Sequence, residues 1–199
     1  MHTTTKEKII HTALNLFAQK GFTETSVREI AKIVGINASS LYNHFESKFA
    51  ILDHLLNDYK KYASNLSPAK ESWNSLTKNA SADDILACMT INFPKGTEEH
   101  YLKMVVMLFQ EQCRNETVRE FMTKDLMLWH ERCITNILNR LVEVGALNNN
   151  VDIEFWAKLH ANVHYASMAQ YVLGIEENIL EIKREMYDKI FILHGTGGR

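Results

Sequence analysis

Thr25-Ser26-Val27-Arg28-Glu29-Ile30-Ala31-Lys32-Ile33-Val34-Gly35-Ile36-Asn37-Ala38-Ser39-Ser40-Leu41-Tyr42-Asn43-His44-Phe45 is the stretch from which the rest of this 199-residue chain can be read. Ser26 stands three residues ahead of Glu29 in the capping-box pattern: the hydroxyl can accept from the Glu29 amide, and the carboxylate can reach back to the Ser26 amide. A helix therefore starts at Ser26. Val27, Ile30, Ala31 and Val34 recur at helical spacing. Gly35 can take the left-handed conformation that ends a helix, and Asn37 can cap a third helix from Ala38. The spacing predicts helices over 27–34 and 38–45 joined by a turn of about three residues, a helix-turn-helix arrangement.

Helices this short do not stand alone in water, so their apolar faces must pack together. Ile30, Ala31, Val34, Ile36, Leu41 and Phe45 supply a shared core, with Leu14 and Phe17 of an upstream helix beneath. Leu41 and Phe45 are an i, i+4 pair facing inward, which turns Ala38, Ser39, Tyr42 and Asn43 outward. A helix of eight residues is about 12 Å long and fits the major groove of B-DNA. Ser40, Tyr42 and His44 can bond phosphate oxygens, and Lys48 adds a cation at the edge. The Asn43 amide can pair with adenine N6 and N7, so Ser39 and Asn43 carry sequence preference while the other contacts set register.

Outward from this stretch the pattern stays helical. Only Pro68 and Pro94 interrupt the chain as prolines, and no period-2 alternation is sustained, which reads as an all-α protein. Helices are expected near 4–20, 27–34, 38–45, 47–64, 83–92, 98–113, 117–144, 152–173 and 177–193. Domain boundaries follow at 1–47 for a three-helix unit carrying the helix-turn-helix and 48–194 for a larger helical body, with 195–199 a flexible tail. Cys88, Cys113 and Cys133 form no CxxC pair and read as reduced thiols. The N-terminus lacks the apolar run of a signal peptide and no stretch is apolar enough for a membrane helix, so the expected location is cytoplasmic, with no membrane partner.

The run from Thr25 to Ala31, then Val34 to Phe45, Ser47-Lys48 and Ile51-Leu52, preceded by Ala13-Leu14-Asn15-Leu16-Phe17-Ala18-Gln19-Lys20-Gly21-Phe22, closely resembles the N-terminal domain of TetR-family transcriptional regulators. The resemblance spans about residues 5–53. It departs mildly from the family pattern, with Asn37 for Ser, Ser39 for Gly, Ser40 for Thr and Phe49 for Glu. The resemblance implies DNA contact through Thr25, Ser26, Arg28, Asn37, Ser39, Ser40, Tyr42, Asn43, His44 and Lys48. It also implies that 1–47 is a DNA-binding domain and 48–194 a helical effector-binding and dimerisation domain whose last two helices pair with their symmetry mates in a homodimer; an ordinary intramolecular core is the alternative.

The body is read from its own residues. It holds seven of the eight methionines and all three tryptophans, a composition that suits an adaptable pocket and equally an ordinary core. Gln110, His130, His160, Asn162 and His164 sit in strongly apolar segments, where a buried polar group needs a partner from the protein or from a ligand. Met104, Met107, Gln110, Trp129, His130, Trp156, His160 and His164 are the effector-binding candidates. His160 and His164 have a spacing that could hold a metal, but no third ligand stands at a fixed offset, so no metal and no cofactor is expected. Phe155, Leu159, Ala166, Ala169 and Leu173 form one apolar stripe, and Ile179, Ile182, Met186, Ile190 and Leu193 another, as a dimer interface would require.

Three function classes remain in view. The leading one is a homodimeric repressor on palindromic double-stranded operator DNA, released by a small-molecule effector that shifts the body helices, pivots the helix near 47–64 and alters the spacing of the two reading heads. The second is a DNA-bound adaptor of the same fold with a protein partner and no inducer. The third, an enzyme, is not expected: no HExxH, GxSxG or P-loop occurs. The formal charge of -2 divides unevenly, with seven basic against six acidic residues in 1–60 and fifteen against eighteen beyond. So small an asymmetry predicts phosphate contacts made largely by hydroxyls and backbone amides, and a modest salt dependence.

Overall fold

A computed structural model describes residues 3–65, 73–89, 97–175 and 178–196. The expected helix end at 90–92, residue 177 and the last three tail residues lie outside that description. The described elements are α1 (Thr5–Lys20), α2 (Val27–Val34), α3 (Ala38–Tyr42), α4 (Lys48–Asn65), α5 (Ala82–Met89), α6 (Glu98–Glu111), α7 (Glu116–Glu120), a π-helical stretch (Phe121–Met127), α8 (Leu128–Glu143), α9 (Ile153–Val172) and α10 (Ile179–His194). Among the described residues there is no strand, only an isolated bridge between Leu147 and Gly195. None of the described helices is long and apolar enough to cross a membrane. The protein is all-α, with an N-terminal helix-turn-helix ahead of further helices.

The chain packs as two compact units, Met1–Tyr62 with Phe93–Met122, and Ala63–Asn92 with Thr123–Arg199. In the first, α1 buries Ile9, Ala13, Leu14 and Phe17 against Ile30 and Ala31 of α2 and against Met104, Val105, Met107 and Leu108 of α6. Each of the larger of these side chains, the Ile, Leu, Val, Met and Phe, contributes about 1.5–3 kcal/mol on leaving water. Leu41 and Phe45 complete the helix-turn-helix core as expected, whereas Val34 and Ile36 are only partly buried. Helix α6 joins this unit although the sequence reading assigned it to the body. Its partner α1 lies far away in the chain, and no local signal announces that pairing.

The caps explain the helix limits. Thr4 accepts from the Glu7 amide at 3.2 Å while Glu7 Oε2 accepts from the Thr4 amide at 2.7 Å, a full capping box that starts α1. Ser26 accepts from the Glu29 amide at 3.2 Å, but the Glu29 carboxylate is drawn to Lys20 at 2.5 Å. Gly35 closes α2 at φ 80°, in the left-handed region. Asn37 Oδ1 accepts from the Ser40 amide at 2.7 Å to open α3. That helix stops at Tyr42 rather than 45. The N–H groups of His44 and Phe45 both donate to the Leu41 carbonyl, at 2.9 and 3.1 Å, tightening the chain so that Phe45 turns into the core. The regular helix is thus about 8 Å long, and residues 43–45 extend it as a turn.

In the second unit α8 and α9 pack along each other and α10 lies on α5. Ile85, Ile134, Ile137, Leu138, Leu141, Trp156, Ala157, Met186, Tyr187 and Ile190 form its core. The start of the expected tail is held in place. Asn148 donates to the His194 carbonyl at 2.8 Å and Thr196 to the Ala146 carbonyl at 3.1 Å, so fraying does not begin at residue 195.

Candidate functional site

The face expected to read DNA is displayed by α3 and the turn after it. Ser39, Tyr42, Asn43 and His44 are exposed, Tyr42 by 52%. Ser40 is partly covered and its amide is taken by Asn37. Asn37 itself is exposed but spends its carbonyl oxygen on the cap, as Ser26 spends its hydroxyl oxygen. Arg28 stands exposed on α2. These residues form a shallow polar surface of amide, hydroxyl, phenol and imidazole groups, suited to groove contact.

Two of the residues expected on that face are turned elsewhere. Thr25 is 1% exposed, and its hydroxyl donates to the Gly21 carbonyl at 2.9 Å. Lys48 points back into the loop between α1 and α2. Its ammonium donates to the carbonyls of Phe22 at 2.6 Å, Thr25 at 2.7 Å and Thr23 at 3.3 Å, and lies 4.3 Å from the centre of the Phe22 ring. An ammonium has three protons. All three have partners here, so Lys48 ties the loop together instead of standing free at the groove edge. Burial lowers its pKa, against which the charges of Glu111 and Glu24 act.

The same loop is held from the other side. Glu111, 3% exposed at the end of α6, accepts from the Phe22 amide at 2.8 Å. At Gly21 φ is 91°, a conformation that favours glycine, and an added Cβ would come 2.9 Å from Glu111 Oε1 and push that carboxylate aside. Phe49, which stands where the family pattern has Glu, is 59% exposed and sets its ring edge-on to Phe22 at 4.8 Å. Sequence reading missed Glu111. Its one signal is an acidic residue three places after Leu108 on the buried stripe of α6.

The effector candidates divide between the units. Met104 and Met107 are buried in the first, and Gln110 is exposed there, so it has no buried amide to satisfy. Trp129, His130, Trp156, His160 and His164 belong to the second. Trp156 sits in that unit's core, and Trp129 lies edge-on to His130 at 4.6 Å. Asn162, also expected among buried polar groups, is exposed and donates to the Lys158 carbonyl at 2.8 Å.

The three histidines do come together. The rings of His130 and His164 are 3.8 Å apart between centres, and His160 lies 6.2 and 6.3 Å from them. Two residues the sequence reading did not single out complete the group. Lys183 Nζ donates to His164 Nδ1 at 3.1 Å, and the Tyr187 hydroxyl is 2.5 Å from His160 Nδ1. Their signal in sequence is a lysine and a tyrosine on the same face of α10 as Ile190. His130 Nδ1 and His160 Nε2 are buried without a hydrogen-bond partner. No group of described His, Cys, Asp or Glu residues is placed to share a metal ion.

Burial is the main cause of the shifts in this group. It pulls His130 down to about 3 and Lys183 down to about 8, holds His160 and His164 well below the ordinary histidine value, and keeps the Tyr187 phenol protonated. The unfolded chain takes up histidine protons near 6.5 and the folded chain does not. Stability is therefore complete above about 6.5 and falls as the pH drops, by about 1.4 kcal/mol per pH unit from His130, with His160 and His164 acting in the same direction. Urea unfolding between pH 7 and pH 4.5 is expected to show this slope, and His130→Gln to flatten it. An unchanged slope in that variant would mean that His130 titrates normally.

The interface candidates fall on both sides of the helices that carry them. Phe155, Leu173 and Ile182 are exposed by 53, 73 and 43%, Ala166 is exposed, and Leu159 and Ala169 are partly so. Leu180 and Leu193 add to this exposed apolar surface. Met186 and Ile190, 8 and 0% exposed, face the core of their own unit, because the period of α10 places them one and two turns from Lys183 and beside Tyr187. The side chain of Ile179 lies outside the described residues.

Comparison with known proteins finds relatives that share these features. Residues 9–55 match the bacterial regulatory proteins of the tetR family. The chain is 28% identical over 129 residues to the probable HTH-type transcriptional regulator YttP of Bacillus subtilis (strain 168), covering 64% of this chain and 53% of YttP. It is 34% identical over 103 residues to IcaR of Staphylococcus aureus (strain Newman), the HTH-type negative transcriptional regulator of a biofilm operon, covering 52% of this chain and 53% of IcaR. The chain thus spans about half the length of the curated relatives it matches. The fold is shared with the ketosteroid transcriptional regulator KstR2 of Mycobacterium tuberculosis, at 18% identity, TM-score 0.64 and coverage of 99% of this chain and 98% of that one.

Proposed function

We propose that this chain, whose residues 9–55 match the bacterial regulatory proteins of the tetR family, is a homodimeric transcriptional repressor that binds a palindromic operator and is released by a small molecule. The observation that carries the reading is the exposed row Ser39, Tyr42, Asn43 and His44 on a helix-turn-helix whose Ile30, Ala31, Leu41 and Phe45 are buried beneath it. Repression is supported by the negative regulator IcaR among the relatives. The exposed apolar residues Phe155, Leu173, Leu180 and Ile182 support pairing of two copies, which would set two reading helices about 34–36 Å apart, one turn of DNA. The partnerless nitrogens of His130 and His160 support a ligand in the second unit. The proposed place of action is the cytoplasm, where operator DNA is reached.

The test is a gel-shift series on palindromic DNA from upstream of the protein's own gene, with single-base variants of each half-site. Tyr42→Ala is expected to weaken binding to every sequence alike, by about 1 kcal/mol, as loss of a phosphate contact does. Asn43→Ala is expected to relax preference at one base position, with discrimination there falling by about 1–3 kcal/mol. Retention of full base preference by the Asn43 variant would remove it as the reader. Absence of binding at low salt would overturn the regulator reading itself.

A further inference from the structure

We propose that His130, His160, His164, Lys183 and Tyr187 form an anion-binding site, and that the effector is a singly charged organic acid held by its carboxylate. The inference rests on the reading that a small molecule acts on the second unit, and it names the chemical class of that molecule. Three helices converge on the site: α8 brings His130, α9 brings His160 and His164 one turn apart, and α10 brings Lys183 and Tyr187 one turn apart. Every member is a base or a donor. The charged groups that act on the histidines are Lys183 and one another, and Lys183 is shifted by burial alone; no described carboxylate enters the group.

Proton placement shows what is missing. The Lys183 ammonium can only donate, so His164 Nδ1 accepts and that ring carries its proton on Nε2. With Tyr187 donating to His160 Nδ1, His160 carries its proton on Nε2, a buried N–H with no acceptor. His130 Nδ1 is likewise buried and without a partner. Buried polar groups left in this state call for a partner. A carboxylate has about four acceptor positions and one negative charge, matching several N–H donors and a single ammonium. A dianion would leave surplus negative charge in a buried place, and an amine would meet Lys183 as a like charge. An alcohol would leave the ammonium without a counter-charge.

The experiment uses the full chain at pH 7, where a Lys183 pKa of about 8 keeps the ammonium mostly protonated. Acetate, hexanoate, octanoate and benzoate are titrated by thermal shift and calorimetry beside the matching alcohols, amides and amines, with operator release followed in parallel. At least one acid is expected to raise the melting temperature by several degrees while its alcohol and amine do not. Lys183→Met is expected to weaken that acid by about 30-fold or more, and Lys183→Arg to keep most of the affinity. His130→Phe, which leaves the charge in place, is expected to cost about tenfold and stands in if Lys183→Met does not fold. Equal stabilisation by alcohols or amines, or full affinity in Lys183→Met, overturns the site. An amine or alcohol that binds and releases operator overturns the site alone and leaves ligand release standing. An acid that binds and leaves operator bound supports the site and overturns release. Failure of every compound to bind overturns both.

Discussion

Lys48→Met is expected to lower the melting temperature by about 5 °C and to weaken operator binding at least tenfold while leaving the salt dependence of binding unchanged. The side chain gives all three ammonium protons to the carbonyls of Phe22, Thr23 and Thr25. Bonds to a charged donor are each worth about 1.5–3 kcal/mol, but this lysine is only half-buried and water recovers part of the loss. A net cost of about 2 kcal/mol results. Methionine keeps the apolar stem against the Phe22 ring, so the variant removes the charge and its bonds with little change in packing. The loop it releases runs directly into the Ser26 cap of α2, and binding falls because the reading helices lose their fixed entry.

A lysine on phosphate would behave differently. Its removal would reduce the slope of log affinity against log salt by about one and leave stability almost untouched. Urea unfolding and gel shifts between 50 and 200 mM salt on the same variant separate the two roles. A reduced slope with an unchanged melting temperature would return Lys48 to the DNA.

On the proposed dimer, Leu173→Glu is expected to give a monomer in sedimentation equilibrium and to lower operator affinity by about 100-fold or more. Leu173 is 73% exposed just beyond the end of α9, so in a single chain a carboxylate there costs the fold no more than about 0.5 kcal/mol. In a two-fold interface the same substitution enters twice and places unpaired charge in an apolar contact, at several kcal/mol. The loss of affinity follows from tethering, because two half-sites bound by one dimer gain from effective concentration what two monomers do not. Met186→Ala, by contrast, opens a cavity beside Tyr187 and is expected to lower stability without changing oligomeric state, since Met186 is in the core. A Leu173→Glu protein that remains dimeric and binds operator within about threefold of the parent would move the interface elsewhere.

Much of the first unit was legible because its signals are local. Ser26, Gly35 and Asn37 act within three or four residues of themselves, and caps and turns of that kind can be read from any chain that carries them. The all-α class followed from period and punctuation in the same way. The length of α3 was less legible. The choice between helix and tightened turn at residues 43–45 depends on Phe45 reaching the core, and nothing in Asn43 or His44 specifies it. The hold of Lys48 on the loop was illegible for a related reason: the loop that takes its ammonium lies 23 to 26 residues upstream.

By itself, the sequence determined an all-helical chain, a helix-turn-helix with its limits near residues 26 and 45, and an outward polar row on the second helix of that pair. Periodicity and capping are properties of neighbours in the chain. Only the tertiary structure decided that Glu111 closes on the Phe22 amide from 89 residues away. It likewise decided that Lys183 and Tyr187 join the three histidines, across 19 and 27 residues. Met186 and Ile190 turn inward where Phe155 and Leu173 stay exposed. A helical stripe shows which residues share a face, but the direction of that face is set by the helix it packs against, and the packing of distant helices is a property of the folded chain alone.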